Sequence, residues 1–128
     1  MTRIPEYDRN IMEQAIYLPM VLTILNRDLA IVNTSPFKLK QPYAELIEET
    51  MKVIQYELKE IKQYMLQQKL KVMQVSHDNA FTGFLFMYQG FEEQHNYFNP
   101  RIRNKVQEML SFYLFKRYIS PKTDKTIQ

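Results

Sequence analysis

Between Glu45 and Lys69 the apolar residues recur with the period of an α-helix. Ile47, Met51, Ile54, Leu58, Ile61 and Met65 step by four, three, four, three and four, which sets all six along one side of a helix. A long amphipathic helix is therefore expected from Pro42 to about Lys69, with Pro42 in its first turn. Leu46 and Val53 widen the stripe in the first half, as packing against a bundle requires, while the second half narrows toward a coiled-coil seam. Leu58, Ile61 and Met65 are accordingly candidates for self-association, although a helix lying on its own domain produces the same spacing.

Elsewhere the pattern is punctuated by Pro19, Pro36, Pro100 and Pro121. Glu6 to Leu18 carries Ile11, Met12, Ala15, Ile16 and Leu18. Pro19 then kinks that helix or opens a second one running through Val21, Leu22, Leu25 and Leu29 toward Val32, so two short helices are expected before the loop 33–40. Leu70 to Ser76 has strand character. It is followed by the turn-prone His77-Asp78-Asn79 and by an aromatic run, Phe81 to Phe91, in which Phe84, Phe86 and Tyr88 alternate with Leu85, Met87 and Gln89. A β-hairpin with two apolar faces, one covering the helices, is the preferred reading; a helix is its rival, because Phe81, Phe84, Leu85 and Tyr88 also fit a 3.6 period. Asn99-Pro100 is expected to cap and open a last helix with Val106, Met109, Leu110 and Tyr113 inward, ending near Tyr118. The expectation is a mainly α (α+β) fold: one domain over residues 1–119, with a long central helix, a small hairpin before the C-terminal helix, and a polar tail at 120–128.

Composition sharpens this. A chain of 128 residues with 45% hydrophobic and 24% charged residues has the balance of one globular domain. Nine Tyr, eight Phe and eight Met with no Trp make a core of half-polar and flexible side chains, which also suit interfaces. Without Cys, disulfide and thiolate chemistry are excluded. The charged start, Thr2-Arg3-Ile4-Pro5-Glu6, lacks a signal-peptide core, and no stretch is expected to approach the roughly 18 apolar residues of a spanning helix. A cytoplasmic protein with no membrane partner is expected. Net charge is +3, but residues 99–128 hold seven Lys/Arg against Glu108 and Asp124, a net +5, whereas residues 1–98 carry ten basic and twelve acidic groups. That basic third either meets phosphates or is a solvated surface.

The strings Ser35-Pro-Phe-Lys-Leu-Lys-Gln-Pro-Tyr43, Leu70-Lys-Val72 and Phe91-Glu-Glu-Gln-His-Asn-Tyr-Phe-Asn-Pro-Arg-Ile-Arg-Asn104 resemble a family of small proteins of Bacillus-type prophages and mobile elements. The resemblance spans most of the chain and implies a bacterial or phage cytoplasmic protein, a regulator or a modulator of host or phage machinery. It brings no activity with it.

Candidate chemistry is sparse. Glu92-x-x-His95 would put a carboxylate and an imidazole on one helical face, as in di-iron bundles, but such a site needs a second motif and further carboxylates; a solvated or hydrogen-bonded histidine competes with it. Ser76-His77-Asp78 is consecutive, a spacing that cannot align three side chains in series, and reads as a turn. With Gly83 and Gly90 the only glycines, a phosphate-cradling loop is excluded. Glu45, Glu48 and Glu49 suit a helix start, Glu48 with Lys52 in reach. No catalytic residue, metal ligand or cofactor is assigned. Arg101, Arg103 and Lys105, beside Tyr97 and Phe98, together with Lys69 and Lys71, are the candidates for an anion or nucleic-acid site. Three cations at a helix start oppose the macrodipole, which implies anions nearby, Glu92 and Glu93 being the candidates. The function expected is that of a non-enzymatic binding or regulatory protein working through a protein partner or a second copy of itself. The alternative is a winged-helix-like DNA-binding regulator, from three helices followed by a hairpin. Against it, the third helix opens with acids that phosphates would repel.

Overall fold

In the computed structural model, which describes residues 3–115, the elements run α1 (Glu6–Asn33), α2 (Gln41–Gln67), β1 (Leu70–His77), β2 (Phe81–Tyr88), β3 (Phe91–Phe98) and α3 (Asn99–Leu114). The expected α+β class, with a hairpin before the C-terminal helix, is observed. The end of that helix near Tyr118 and the tail 120–128 lie outside the described residues.

α1 opens after Pro5 with Glu6 and Asp8 in its first turn, where acids suit the dipole. It continues unbroken through Pro19, correcting the expectation of two short helices. A helix-interior proline costs about 3 kcal/mol. Here it lies on the exposed side, while Met12, Leu18, Val21 and Leu25 are almost wholly buried on the other, so breaking the helix would forfeit a continuous apolar face. The helix ends where Thr34 Oγ1 donates to the Ala30 carbonyl and Ser35 Oγ to that of Val32, just before Pro36.

An 18-residue stretch of α1 reaches a mean hydropathy of 1.5, long and apolar enough by composition to cross a membrane. No stretch of that kind was expected. Its Ile16, Leu18, Val21 and Leu25 sit in the core, whereas Ile24 and Ile31 are exposed.

α2 follows the predicted stripe: Ile47, Ile54, Leu58, Ile61 and Met65 are buried, Met51 half-buried. It runs antiparallel to α1, since Tyr64 near its end meets the start of α1, donating to Asp8 Oδ1 at 2.6 Å and standing edge-on to Tyr7. At its exposed start Lys52 pairs with Glu49 at 3.5 Å rather than with Glu48.

The sheet has three antiparallel strands in the order β1-β2-β3, one more than expected. The aromatic run stops at Tyr88, and Gln89 (φ 47°) and Gly90 (φ 91°) form a two-residue turn with both central residues left-handed. Phe91–Phe98 then returns as β3, with Tyr88 opposite Phe91 and Phe81 opposite Phe98. Because facing residues share a side, Leu70, Val72, Phe84, Phe86, Tyr88 and Tyr97 line the inner face toward the helices. The outer face holds Lys71, Met73, Leu85, Met87, Gln94 and Phe98. As expected, both faces are apolar and one covers the helices. A bulge between Gln74 and Ser76 restores the register.

One apolar cluster draws on all six elements, centred on fully buried Phe86, Leu18, Met12 and Ile54. Three tyrosines tie its edges: Tyr64 to Asp8 (α2 to α1), Tyr97 to Glu13 at 2.7 Å (β3 to α1) and Tyr113 to Glu57 at 2.6 Å (α3 to α2). In each case the phenol proton is shared with a carboxylate, and all three hydroxyls titrate above their ordinary range, Tyr64 near 12, from its bond to Asp8. For Tyr97 and Tyr113 burial comes first and the carboxylate second.

Candidate functional site

α3 lies along α1 and leaves a cleft on each flank. The larger, about 740 Å³, has apolar walls: Met20 and Ile24 from α1, with Ile102, Val106 and Leu110 from α3. Polar groups gather where β1 turns into β2, namely Gln74, His77, Thr82 and Asn99, with exposed Arg103 on the α3 border.

Asn99 organises that end. Rather than capping its own helix, as expected, it turns back: its amide donates to the Asp78 carbonyl at 2.9 Å and its Oδ1 accepts from Thr82 Oγ1 at 2.7 Å. Its backbone N–H donates to the Ala80 carbonyl. Asp78 in turn accepts the backbone N–H groups of Ala80 and Phe81, at 2.8 and 2.7 Å, an Asx turn that holds its carboxyl below the usual range. Since Thr82 has one hydroxyl proton and gives it to Asn99, His77 Nδ1, 2.8 Å from Thr82 Oγ1, must be the donor to it. The network thus assigns Nδ1 as a donor. The cleft combines an apolar body with a few convergent polar groups, the general form of a recognition site.

The residues predicted from sequence are placed differently from one another. Arg101 and Lys105 border the opposite flank of α3 with Glu13, Tyr17 and Glu108, while Arg103 borders the apolar cleft. Lys105 is 3.4 Å from Glu108. The three cations therefore do not form one patch. Their anionic neighbours are Glu13 and Glu108, not Glu92 and Glu93; Glu93 instead accepts the Arg3 backbone N–H at 2.7 Å and stands 3.0 Å from His95 Nε2. Lys69 and Lys71 lie at the other end of the sheet, beside the Leu70–Tyr88 pair, ~20 Å along the strands from α3's start. Leu58, Ile61 and Met65 are buried in the chain's own core.

Glu92 and His95, three apart on a strand, project to opposite faces; His95 packs edge-on against Phe86 at 5.0 Å. Among the described residues no three His, Asp or Glu side chains are placed to hold a metal. Ser76 and His77 likewise face opposite sides of the sheet, so the consecutive run makes no relay. Two helices, not three, precede the strands, and the element order behind a winged-helix reading is absent.

Sequence reasoning missed the cleft. A signal existed: α1 is apolar at Met20 and Ile24 as well as at Val21 and Leu25, a stripe too wide for one buried face.

Fold and cleft together define a small α+β protein with an open apolar groove against a helix pair. The chain belongs to the YhjD family, whose sequence model, described as YhjD protein, matches residues 3–118. It is similar to the uncharacterized protein YhjD of Bacillus subtilis (strain 168), with 44% identity over 115 residues, 90% of this chain and 96% of that one. No solved structure matches it.

Proposed function

We propose that this is a non-enzymatic binding protein that acts on another protein, taking an apolar segment of its partner into the groove between α1 and α3. The observation that carries the reading is the groove itself: Met20, Ile24, Ile102 and Leu110 form an apolar floor that the described residues leave partly open. Arg103 at its polar end favours a segment that carries a carboxylate beside its apolar anchors. A regulatory role in the cytoplasm, and the phage or mobile-element setting, belong to this proposal. The seating of α1 in the core supports the first and the sequence resemblance the second.

The test is a photo-crosslinking amino acid at position 24, followed by reconstitution of the captured partner with purified protein. Ile24→Asp, at a site already 37% exposed, is expected to weaken the reconstituted complex more than tenfold while leaving the fold intact. Unchanged affinity in Ile24→Asp would overturn the reading. Salt-sensitive binding of duplex DNA, in the absence of such a partner, would replace it with the nucleic-acid alternative.

A further inference from the structure

Among the described residues nothing covers the outer sheet face, which points away from the groove. Its rows read Lys71–Met87–Glu92, Met73–Leu85–Gln94 and Ser76–Gly83–Asn96 across the three strands. Met73 and Phe98 are 40% and 49% exposed, and Val75 at the bulge is 47% exposed. Along its midline run Leu85 and Met87 of the central strand, with a cation on one flank and an anion on the other.

We infer that this face is a self-association surface that takes a second copy of the chain, related by a two-fold axis along β2. The charges carry the argument. Such an axis lays β1 of one copy over β3 of the other at the same height, so each Lys71 meets Glu92 of the second copy, and the pair is made twice. The same operation sets Met87 on Met87, Leu85 on Leu85, and Ser76 over Asn96, polar on polar. An isologous contact requires self-complementarity of this kind, and aligned sheets ~10 Å apart leave Lys and Glu side chains room to meet. Axes across the strands set each strand on its own copy, so Lys71 and Glu92 do not meet. Three strands ~4.8 Å apart and eight residues long make a patch of roughly 14 by 26 Å. Two copies then hide about 700 Å², below the standard interface size, so the dimer is weak and concentration-dependent. The groove stays open in that dimer, so this inference stands or falls separately from the proposed function.

Sedimentation equilibrium from roughly 10 µM to roughly 1 mM, spanning weak association, tests it. The wild type is expected to pass from monomer to dimer, and Met87→Glu, which sets two carboxylates together on the axis, to stay monomeric. Lys71→Glu or Glu92→Lys alone turns both pairs repulsive and should weaken the dimer on the order of tenfold. Both sites are exposed, so circular dichroism should be unchanged. An equimolar mixture of those two variants restores both pairs in a heterodimer and should recover the lost association. A wild type monomeric throughout, a dimer surviving Met87→Glu, or a mixture no tighter than its components would each overturn the inference.

Discussion

Removing one oxygen tests the idea that tyrosine–carboxylate bonds fasten the edges of this core. In Tyr97→Phe the ring keeps its stack on Phe86 (6.4 Å) and its edge contact with Phe84 (5.7 Å), and only the hydrogen bond to Glu13 goes. A hydrogen bond to a charged group contributes about 1.5–3 kcal/mol. The Glu13 side chain is 28% exposed and has Arg9 3.9 Å away, so solvent and guanidinium replace part of the loss. With that screening the lower end applies, about 1.5 kcal/mol at neutral pH.

The pH dependence gives a sharper signature. Burial, then the Glu13 hydrogen bond and charge, raise the Tyr97 hydroxyl above its ordinary value, against a smaller pull from Arg9. The unfolded chain therefore releases this proton near pH 10, while the folded chain still holds it. Stability is fully present below pH ~10 and falls above it, by about 1.4 kcal/mol per pH unit for this one proton. The phenylalanine variant has no such proton, and the other tyrosines titrate alike in both proteins. The gap between wild type and Tyr97→Phe should therefore close about one unit above the onset, near pH ~11, and then invert. Urea unfolding followed by far-UV circular dichroism at several pH values between neutrality and that point measures the gap directly. A difference that stays constant through this range, or one below about 0.5 kcal/mol at neutrality, would refute the reasoning.

Three further substitutions probe the backbone and core by thermal unfolding. Lys69 sits at φ 58° between α2 and β1, and Lys69→Gly should gain up to about 1 kcal/mol, a rise of a few degrees in Tm; a fall would show that the lysine side chain outweighs the strain. Pro19→Ala restores a helical N–H on an exposed turn of α1 and should stabilise by about 1–3 kcal/mol, unless the proline holds a bend that the packing needs. Phe86→Ala empties the centre of the core, where Phe86 is 0% exposed, and should cost about 3–5 kcal/mol; a loss under ~1 kcal/mol would mean that the sheet is not seated on the helices as described.

How far the sequence spoke depended on which force was in charge. α2 was legible because one apolar stripe recurs over 27 residues and nothing interrupts it. α1 was misread as two helices because Pro19 is a strong local signal, while the burial of Leu18 and Val21 on either side of it is a tertiary fact. β3 was missed for two local reasons. Its turn is Gln89-Gly90 rather than the stronger Asn-Gly, and Phe91 prolongs the aromatic run across it. Polar Glu92, Glu93, Gln94 and Asn96 then conceal a strand whose inner face is Phe91, Glu93, His95 and Tyr97.

The candidate site failed to show itself for a different reason: its members belong together only after folding. Arg101, Arg103 and Lys105 look like one basic cluster in the chain, yet on a helix successive alternate residues are about 200° apart. Arg103 is therefore sent to the apolar groove, and Arg101 with Lys105 to the Glu13 side of α3. Conversely His77, Thr82 and Asn99, separated by up to 22 positions, become a single hydrogen-bonded chain because β1 and β2 pair and α3 starts where β3 ends. Asn99 shows the conflict most clearly. Its sequence context, before Pro100, is that of a helix cap, but both ends of its amide are committed to Thr82 and Asp78, so the local role yields to one that joins the sheet turn to α3. Such an exchange makes sense where the turn must be held still, and the turn it holds forms the polar end of the groove.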